Sequence, residues 1–347
     1  MPKGVCLSHD NIISNLYQLE QIEKSSIIPS TSNHKIISPL PFFHIYAFTV
    51  SALYAAWKGQ QLITLSKKFE LEHFCELVHV HRPQRAHLVP PILISLGNNP
   101  LVDKYDMSSL KIAVSAAAPL SKEVEESVFS KTGMQVKQAW GMSELSPIGT
   151  YTSDYNIKPG SVGPPVSNTL CKIVDVITGK SLDPYESGEL LIKGPQVMLG
   201  YLDNPKATAD TISNTGWLKT GDVAHYDEDG FIYITDRIKE LIKVNGLPVA
   251  PAELEALLLT HDGIIDVAVI PVKCEKRGEV PKAFIVLREE NNDSVSEKDI
   301  QLWVKERVAD YKQLGGGVEF VDSIPKTASG KILRRILKDR EEHNKNK

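Results

Sequence analysis

The sequence predicts an α/β protein: a parallel-sheet domain remnant, a small β-rich subdomain and a small α+β domain at the C-terminus. Three observations carry this. From Lys35 to Trp140 short apolar strands alternate with helix-like segments. From about Ser161 to Thr235 the pattern changes to short strands broken by Gly and Pro, as in Gly160-Ser161-Val162-Gly163-Pro164-Pro165. After Arg237 come a helix opened by Pro251, two strands, an amphipathic helix and a third strand.

Each element has its reason. Lys35–Ser38, Gln61–Leu65, Arg85–Val89, Lys111–Val114 and Gln135–Gln138 are short apolar runs of strand length, and Leu71–His81 and Lys122–Thr132 carry helical periodicity between them. Such alternation is the signature of parallel strands joined by crossover helices. The apolar run Ile45 to Trp57 reads as one buried helix, since it falls short of the roughly 20 residues a membrane-spanning helix needs. In the C-terminal part, Asp266–Ile270 and Ala283–Leu287 are the two strands, and Lys331 to Arg340 is a basic helix that alone would be a solvated face. The divisions expected are 1–160, 161–236 and 237–340, with a frayed, charged tail over 341–347.

Composition narrows the functional classes. The 347 residues are enough for two or three domains with cores of their own, and 42% apolar with 24% charged content is ordinary for a globular protein. A net charge of −4 with the two signs interspersed leaves no basic face for nucleic acid. Cys6, Cys75, Cys171 and Cys274 are far apart without C-x-x-C spacing, which fits reduced intracellular thiols. His73, His79, His81 and His87 cluster in sequence, and a metal site there is the minor alternative. No signal peptide is evident and the C-terminus is not of the Ser-Lys-Leu type, so a cytoplasmic location is expected, with a peroxisomal one open. Composition leaves the oligomeric state unassigned.

The chemistry concentrates between Gly216 and Glu253. Thr220-Gly221-Asp222 reads as a tight turn whose carboxylate can accept two vicinal hydroxyls. Fifteen residues on, Arg237 offers a planar fork for ribose or phosphate oxygens, and Lys239 and Lys243 follow at helical or turn spacing. Taken singly, the Gly-Asp pair is a turn and the lysines a solvated face.

In this order the pieces resemble the hinge region of the AMP-forming adenylate enzymes, the acyl- and aryl-CoA ligases and luciferases. The text is most similar to the 4-coumarate–CoA ligase and luciferase-like branch. The resemblance runs from Pro2 to about Arg335 and includes further motifs. Met1-Pro2-Lys3-Gly4 resembles the last residues of the family's phosphate loop, so a truncated or alternative-start product is expected; alone it reads as a surface turn. Pro41-Phe42-Phe43-His44 matches the wall of the acyl pocket, with Ile45 and Tyr46 lining it, although a packed core histidine is the plain alternative. Ser115-Ala116-Ala117-Ala118-Pro119-Leu120 follows a strand where small residues let a flat ring approach the backbone, or is simply an Ala-rich helix start. The family usually has Gly at Ala116.

Ala139-Trp140-Gly141-Met142-Ser143-Glu144 matches the aromatic-Gly-Met-Thr/Ser-Glu motif. The resemblance implies that Trp140 stacks on adenine, that Ser143 bonds the α-phosphate and that Glu144 ligates Mg²⁺. It places Ala117, Pro119, Gly141 and Met142 around the nucleotide, Asp222 on the ribose hydroxyls, and Arg237 on ribose or phosphate. Asp236 falls at the hinge of the C-terminal lid. Lys331, in Pro325-Lys326-Thr327-Ala328-Ser329-Gly330-Lys331, would bridge the substrate carboxylate and the α-phosphate. His44, Lys243 and Lys331 are the candidate catalytic residues, and Tyr46 and Ala116 the candidate pocket for a medium or aromatic acid. One position departs: where the family commonly has Gln before Val-Ala-Pro-Ala-Glu-Leu-Glu, this chain has Pro248, which lacks both a side-chain amide and a backbone N–H. The resemblance thus implies ATP-dependent activation of a carboxylic acid to an acyl-adenylate followed by transfer to CoA, with ATP, Mg²⁺ and CoA as the small molecules used. A relative with another acceptor, or an inactive nucleotide- or partner-binding fragment, is the alternative.

Overall fold

The computed structural model describes residues 3–28, 33–66, 69–288, 295–327 and 330–345. Part of the Pro-Lys-Gly motif (Met1 and Pro2) and of the lysine loop (Ala328 and Ser329) lies outside the described residues. Two compact units result, Met1–Thr220 with Ala224–Ile234, and Gly221–Val223 with Thr235–Lys347.

The first unit runs β1 (Val5–Cys6), α1 (His9–Glu23), β2 (Lys35–Ser38), a π-helical stretch Tyr46–Leu53, α2 (Tyr54–Lys58) and β3 (Gln61–Thr64). It continues through α3 (Leu71–His81), β4 (Arg85–Leu88), α4 (Pro90–Asn98), β5 (Ile112–Ser115), α5 (Lys122–Thr132), β6 (Gln135–Gly141) and β7 (Ile148–Tyr151). There follow β8 (Leu170–Val174), β9 (Gly188–Lys193), β10 (Gly200–Tyr201), α6 (Pro205–Thr211), β11 (Leu218–Tyr226) and β12 (Ile232–Arg237), the last two of which contribute residues to both units.

A six-stranded sheet in the order β3-β2-β4-β5-β6-β7 forms the centre, parallel except where β7 turns back along β6. Strands β4 and β5 are buried at every position, as helices on both faces of a parallel sheet require. Their strand order brings the carboxyl ends of β2, β4, β5 and β6 to one edge. The β-rich part is the antiparallel pair β8–β9 extended by β11 and β12, and β1 adds to β10 with Val5 opposite Tyr201.

The apolar stretch after His44 differs from a single α-helix. Tyr46–Leu53 winds as a π-helix before α2 begins, and the Tyr54 N–H reaches the carbonyls of Ser51 and Thr49. The wider turn inserts an extra residue and re-aims the side chains on either side of it.

A buried ion network ties α1 to the sheet. Arg85 Nη2 lies 2.9 Å from Glu23 and 3.1 Å from Asp154, Lys137 Nζ lies 2.5 Å from Asp154, and the Tyr151 hydroxyl donates to Glu23 at 3.0 Å. Burial alone would raise the Asp154 carboxyl, but Arg85 and Lys137 hold it down to about 2. Removing one member would leave a buried charge unpaired, a loss of about 3–5 kcal/mol.

The second unit contains β13 (Ile242–Val244), β14 (Leu247–Val249), α7 (Pro251–Leu258), β15 (Ile264–Cys274), β16 (Gly278–Leu287), α8 (Glu297–Lys305), β17 (Val318–Phe320) and α9 (Arg334–Lys345). The sheet order is β14-β13-β16-β15, with β17 parallel to β16. Its core includes Leu254 and Leu258 of α7, Val269, Phe284, Ile300 of α8 and Leu337 of α9. Pro251 sits in the first turn of α7, where its missing N–H costs nothing.

Two local expectations are corrected here. The closing helix begins at Arg334 rather than Lys331 and continues to Lys345, through the segment expected to fray; Leu337 is buried and Glu341 pairs with Lys282, which anchors it. Of the helical or turn placement expected for Lys243, the helical one is not found: the residue lies in strand β13, two positions before the Asn245-Gly246 turn of a hairpin. Among the described residues, no helix is long and apolar enough to cross a membrane.

Candidate functional site

In the first unit the candidate residues gather at the carboxyl edge of the parallel sheet. The segment after β2 carries His44, whose Nδ1 accepts the Tyr46 N–H at 3.2 Å. Tyr46 is buried and its hydroxyl donates to the Val114 carbonyl, 2.9 Å away, at the end of β5. That bond brings the π-helical segment against the strand end from which Ala116 follows. Burial keeps the Tyr46 phenol far above its usual range, so it acts as a neutral donor.

The turn after β5 is strained rather than helical. Ala117 has φ of 76°, a left-handed conformation that costs a non-glycine residue about 1 kcal/mol or more. Helix α5 begins only at Lys122. The turn is held to β6 by Gln138, which donates to the Leu120 carbonyl at 3.0 Å and to Glu125 at 2.8 Å. Burial pushes the Glu125 carboxyl up to about 7, against the pull of the Gln138 amide and the Gly160 N–H.

Strand β6 then delivers Trp140 and Gly141. Pairing of Ser115 with Gln138 sets this end of β6 beside the Ala116–Ala117 turn. A Cβ on Gly149 would come within 2.5 Å of the Trp140 ring, so the indole rests against bare backbone there. A Cβ on Gly141 would lie 2.1 Å from the Pro147 carbonyl oxygen, which leaves glycine as the residue that fits. Met142 donates its N–H to that same carbonyl at 2.9 Å, and Ser143 opens a 3₁₀ turn with its side chain exposed. Pro119 is exposed at the outer end of the neighbouring turn.

Glu144 is half-buried. Its Oε1 accepts the Tyr201 hydroxyl at 2.7 Å, and its carbonyl accepts the Met198 N–H at 2.8 Å. Burial, with the bond to Glu144, pushes the Tyr201 phenol up to about 12. The Lys3 ammonium lies 3.8 Å from the Tyr201 ring centroid. Sequence reasoning passed over Tyr201, which the Met198–Glu144 backbone bond brings close to Glu144 and which pairs with Val5 of β1. A half-buried carboxylate with one oxygen oriented by a hydroxyl fits Mg²⁺, which binds proteins through one or two carboxylates plus phosphate oxygens.

The sequence cluster of histidines disperses. His87 is buried and bonds Ser51 Oγ at 2.8 Å, while His79 accepts the Asp106 N–H and His73 faces Glu76. Burial, then Arg85 and Lys137, lower the His87 imidazole to about 3, so it is neutral. Among the described residues no group of three or more His, Cys, Asp or Glu is arranged to hold a metal.

In the second unit Asp222 lies inside β11, not on a tight turn. Gly221 takes φ of 71°, and that single left-handed residue does within the strand what the turn was expected to do. Asp222 is 4% exposed, and its Oδ1 lies 3.2 Å from Arg237 Nε. The Gly221 carbonyl accepts the Ile238 N–H at 2.8 Å, which fixes the segment after Arg237 to the strand. Asp236 is also buried. It accepts the N–H of Arg237 at 2.6 Å and that of Ala252, in the first turn of α7, at 2.8 Å. It thereby caps a helix whose own N-cap residue, Ala250, has no side-chain acceptor. Burial pushes the Asp236 carboxyl up, and these two amides and Arg334 oppose it.

Lys243 faces Pro248 directly across the β13–β14 hairpin. Its N–H points the other way, to Glu279 Oε2 at 2.8 Å. Lys331 is exposed on the loop before α9, and its N–H donates to Thr327 Oγ1 at 3.1 Å.

The family profile of AMP-binding enzymes matches residues 1–202, and that of the AMP-binding enzyme C-terminal domain matches 253–331. The chain belongs to the AMP-binding enzyme family. It is 44% identical over 339 residues to a probable 4-coumarate–CoA ligase 1 of Dictyostelium discoideum, which covers 97% of this chain and 60% of that protein. It is 41% identical over 344 residues to 4-coumarate–CoA ligase 2 of Nicotiana tabacum, covering 97% of this chain and 62% of the relative. The chain thus spans about 60% of the length of the curated relatives it matches. Among solved structures, ATP-bound MatB from Rhodopseudomonas palustris superposes with a TM-score of 0.88 at 26% identity, over 97% of this chain and 65% of that one. The anthranilate CoA ligase AuaEII in complex with anthranoyl-AMP gives 0.87 at 26% identity, over 98% and 65%.

Proposed function

We propose that this chain acts in the ATP-dependent activation of a carboxylic acid to an acyl-adenylate and in its transfer to CoA. The observation that carries the reading is the juxtaposition at the sheet edge: a left-handed Ala117 turn beside a strand that ends in Trp140-Gly141. Ligands of open α/β sheets bind outside the carboxyl ends of the strands, and strain concentrated there is a mark of a built site.

In the first half-reaction a carboxylate oxygen of the acid attacks the α-phosphorus of ATP, and pyrophosphate leaves. Trp140 would stack on adenine, with Ala117, Pro119, Gly141 and Met142 forming the surrounding backbone wall. Ser143 would donate its hydroxyl to the α-phosphate. Mg²⁺, held by Glu144 that Tyr201 orients, would neutralise phosphate charge. Asp222 would accept the ribose hydroxyls and Arg237 would meet ribose or phosphate oxygens; the two side chains lie 3.2 Å apart. Lys331 would place its ammonium between the reacting carboxylate and the α-phosphate, where negative charge accumulates. His44, Tyr46 and Ala116 would line the acyl pocket for a medium or aromatic acid, with the Ala116 methyl standing where the family usually has glycine.

In the second half-reaction the CoA sulfur attacks the acyl carbon, the thiol proton is lost, and AMP leaves. Asp236 would be the pivot of the change between the two, and Lys243 would serve the thioester step. Pro248 opposite Lys243 favours a second reading, in which the adenylate forms in the same way and the acceptor is not CoA.

Pyrophosphate release with a panel of carboxylic acids, measured with and without CoA, tests the proposal. Acid-dependent release accelerated by CoA is expected. Release that CoA leaves unchanged selects the second reading, and no acid-dependent release overturns both.

A further inference from the structure

The loop that carries Lys331 is pinned on both sides within the second unit. Ahead of it, Lys326 Nζ lies 2.8 and 2.6 Å from the two carboxylate oxygens of Asp266 on β15. Behind it, Arg334 donates from Nη2 to both oxygens of Glu255 at 2.7 and 2.6 Å, and from Nε to the Val269 carbonyl at 3.2 Å. Glu255 also accepts the Val269 N–H at 2.8 Å. Between the two anchors the described residues bond to one another. Thr327 donates its N–H to the Lys331 carbonyl at 2.9 Å, and Leu333 donates to the Pro325 carbonyl at 2.8 Å. The backbone of Lys331 is therefore joined to the unit's core through a guanidinium three residues away.

The two anchors differ in kind. The Lys326–Asp266 side chains are 22% and 27% exposed, so that pair is partly screened by water. The Arg334–Glu255 side chains are 16% and 11% exposed, and Glu255 sits on α7 against the unit's core. Taking such a pair out of water is costly for each ion, and well-packed apolar residues in its place often leave a fold as stable or more so. What a guanidinium held by a carboxylate and a carbonyl supplies beyond stability is a fixed orientation. Arg334 is the first residue of α9, so the orientation it fixes is that of the chain leaving the lysine loop. The same guanidinium draws the buried carboxyl of Asp236 down, so the first turn of α7, Asp236 and the lysine loop share one positive charge.

We propose that Glu255 and Arg334 are positioning residues for Lys331: their buried ion pair sets the loop so that the Lys331 ammonium reaches the acid and the α-phosphate during adenylate formation. This rests on the function proposed above. Neither residue touches substrate. Their effect falls on the half-reaction that uses Lys331 and spares the one that does not.

The test compares the full chain with Glu255→Gln, Arg334→Lys and the apolar double variant Glu255→Leu/Arg334→Met, which removes the pair without leaving a lone buried charge. Hydrogen exchange at the Lys331 and Leu333 amides is expected to quicken at least tenfold in all three, with the β16 amides unchanged. Pyrophosphate release is expected to slow at least tenfold, while thioester formation from preformed acyl-adenylate stays within twofold. Exchange at the unaltered rate in the double variant overturns the clamp. Equal losses in both half-reactions overturn the positioning role and leave a merely structural pair. If the unaltered chain releases no pyrophosphate, the functional proposal is what fails, and the exchange measurement still upholds or overturns the clamp.

Discussion

Pro248→Gln is the substitution that most sharply separates the two half-reactions. The hairpin is closed by Asn245 and Gly246 at φ of 51° and 81°, the two left-handed positions of a type I′ turn. Val244 and Leu247 flank it, so Lys243 and Pro248 form the next pair, whose amides point away from each other. The Lys243 N–H does point outward, to Glu279. A proline at 248 therefore costs the ladder no hydrogen bond, and restoring an N–H there gains none. The fold should lose only the rigidity of the ring, about 0.4–1 kcal/mol through the unfolded chain. Side chains of such a pair have Cβ atoms about 4.5–5.5 Å apart, so a glutamine amide would sit beside the Lys243 ammonium. One added hydrogen bond in the thioester step is worth about 0.5–1.5 kcal/mol, or roughly a two- to thirteen-fold gain in rate. Rapid quenching of CoA attack on preformed acyl-adenylate measures it, alongside pyrophosphate release for the first step. An unchanged thioester rate, or equal gains in both steps, would refute the reasoning.

Three further outcomes are expected. Asp222→Asn removes a charge-assisted acceptor and should weaken ATP binding by about 1.5–3 kcal/mol, roughly ten- to 150-fold, with the melting profile kept; calorimetry with unchanged affinity would dismiss the ribose assignment. Lys331→Ala should abolish adenylate formation and spare CoA attack on preformed adenylate, which single-turnover assays of each step would show or deny. Glu125 tests the electrostatics of the Ala117 turn. Its folded pKa of about 7 lies above the unfolded 4.5, so the folded state holds a proton the unfolded chain has lost, and stability falls as pH rises through that window. Glu125→Gln removes this fall, so its advantage over the parent should grow from nothing near pH 4.5 to as much as about 3 kcal/mol above pH 7. Denaturant melts showing a pH-independent difference would count against it.

What sequence made legible was local. The short segments at Lys35, Gln61, Arg85 and Gln135 announce strands because they are of strand length and alternate with helical segments, the pattern of a parallel sheet with crossover helices. The helices Leu71–His81 and Lys122–Thr132 were equally plain from their periodicity. The candidate residues could be picked out because their motifs are contiguous text. What joins them is not contiguous. Glu255 and Arg334 are 79 residues apart, and Tyr201 reaches Glu144 across 57, so no window of sequence contains either pair. Asp222 looked like a turn residue because Gly-Asp usually is one; only the neighbouring strand shows that a left-handed glycine can sit inside β11. The tail looked frayed because its sequence is highly charged, and the contacts that order it, Leu337 in the core and Glu341 on Lys282, lie on distant elements. The strain at Ala117 left no trace in its residue type, since alanine is not one of the residues, such as Gly, Asn or Asp, whose presence signals a positive φ.

The central claim is that the acid's carboxylate bonds to the α-phosphorus of ATP, and isotope transfer tests it most directly. An acid labelled with ¹⁸O in its carboxylate is incubated with the chain, ATP, Mg²⁺ and CoA, and the nucleotide products are analysed by mass spectrometry. Attack on the α-phosphorus followed by cleavage at the acyl carbon leaves one carboxylate oxygen on the nucleotide, so AMP carrying a single ¹⁸O is the predicted result. Label in inorganic phosphate alongside ADP, or AMP without label, would contradict the account.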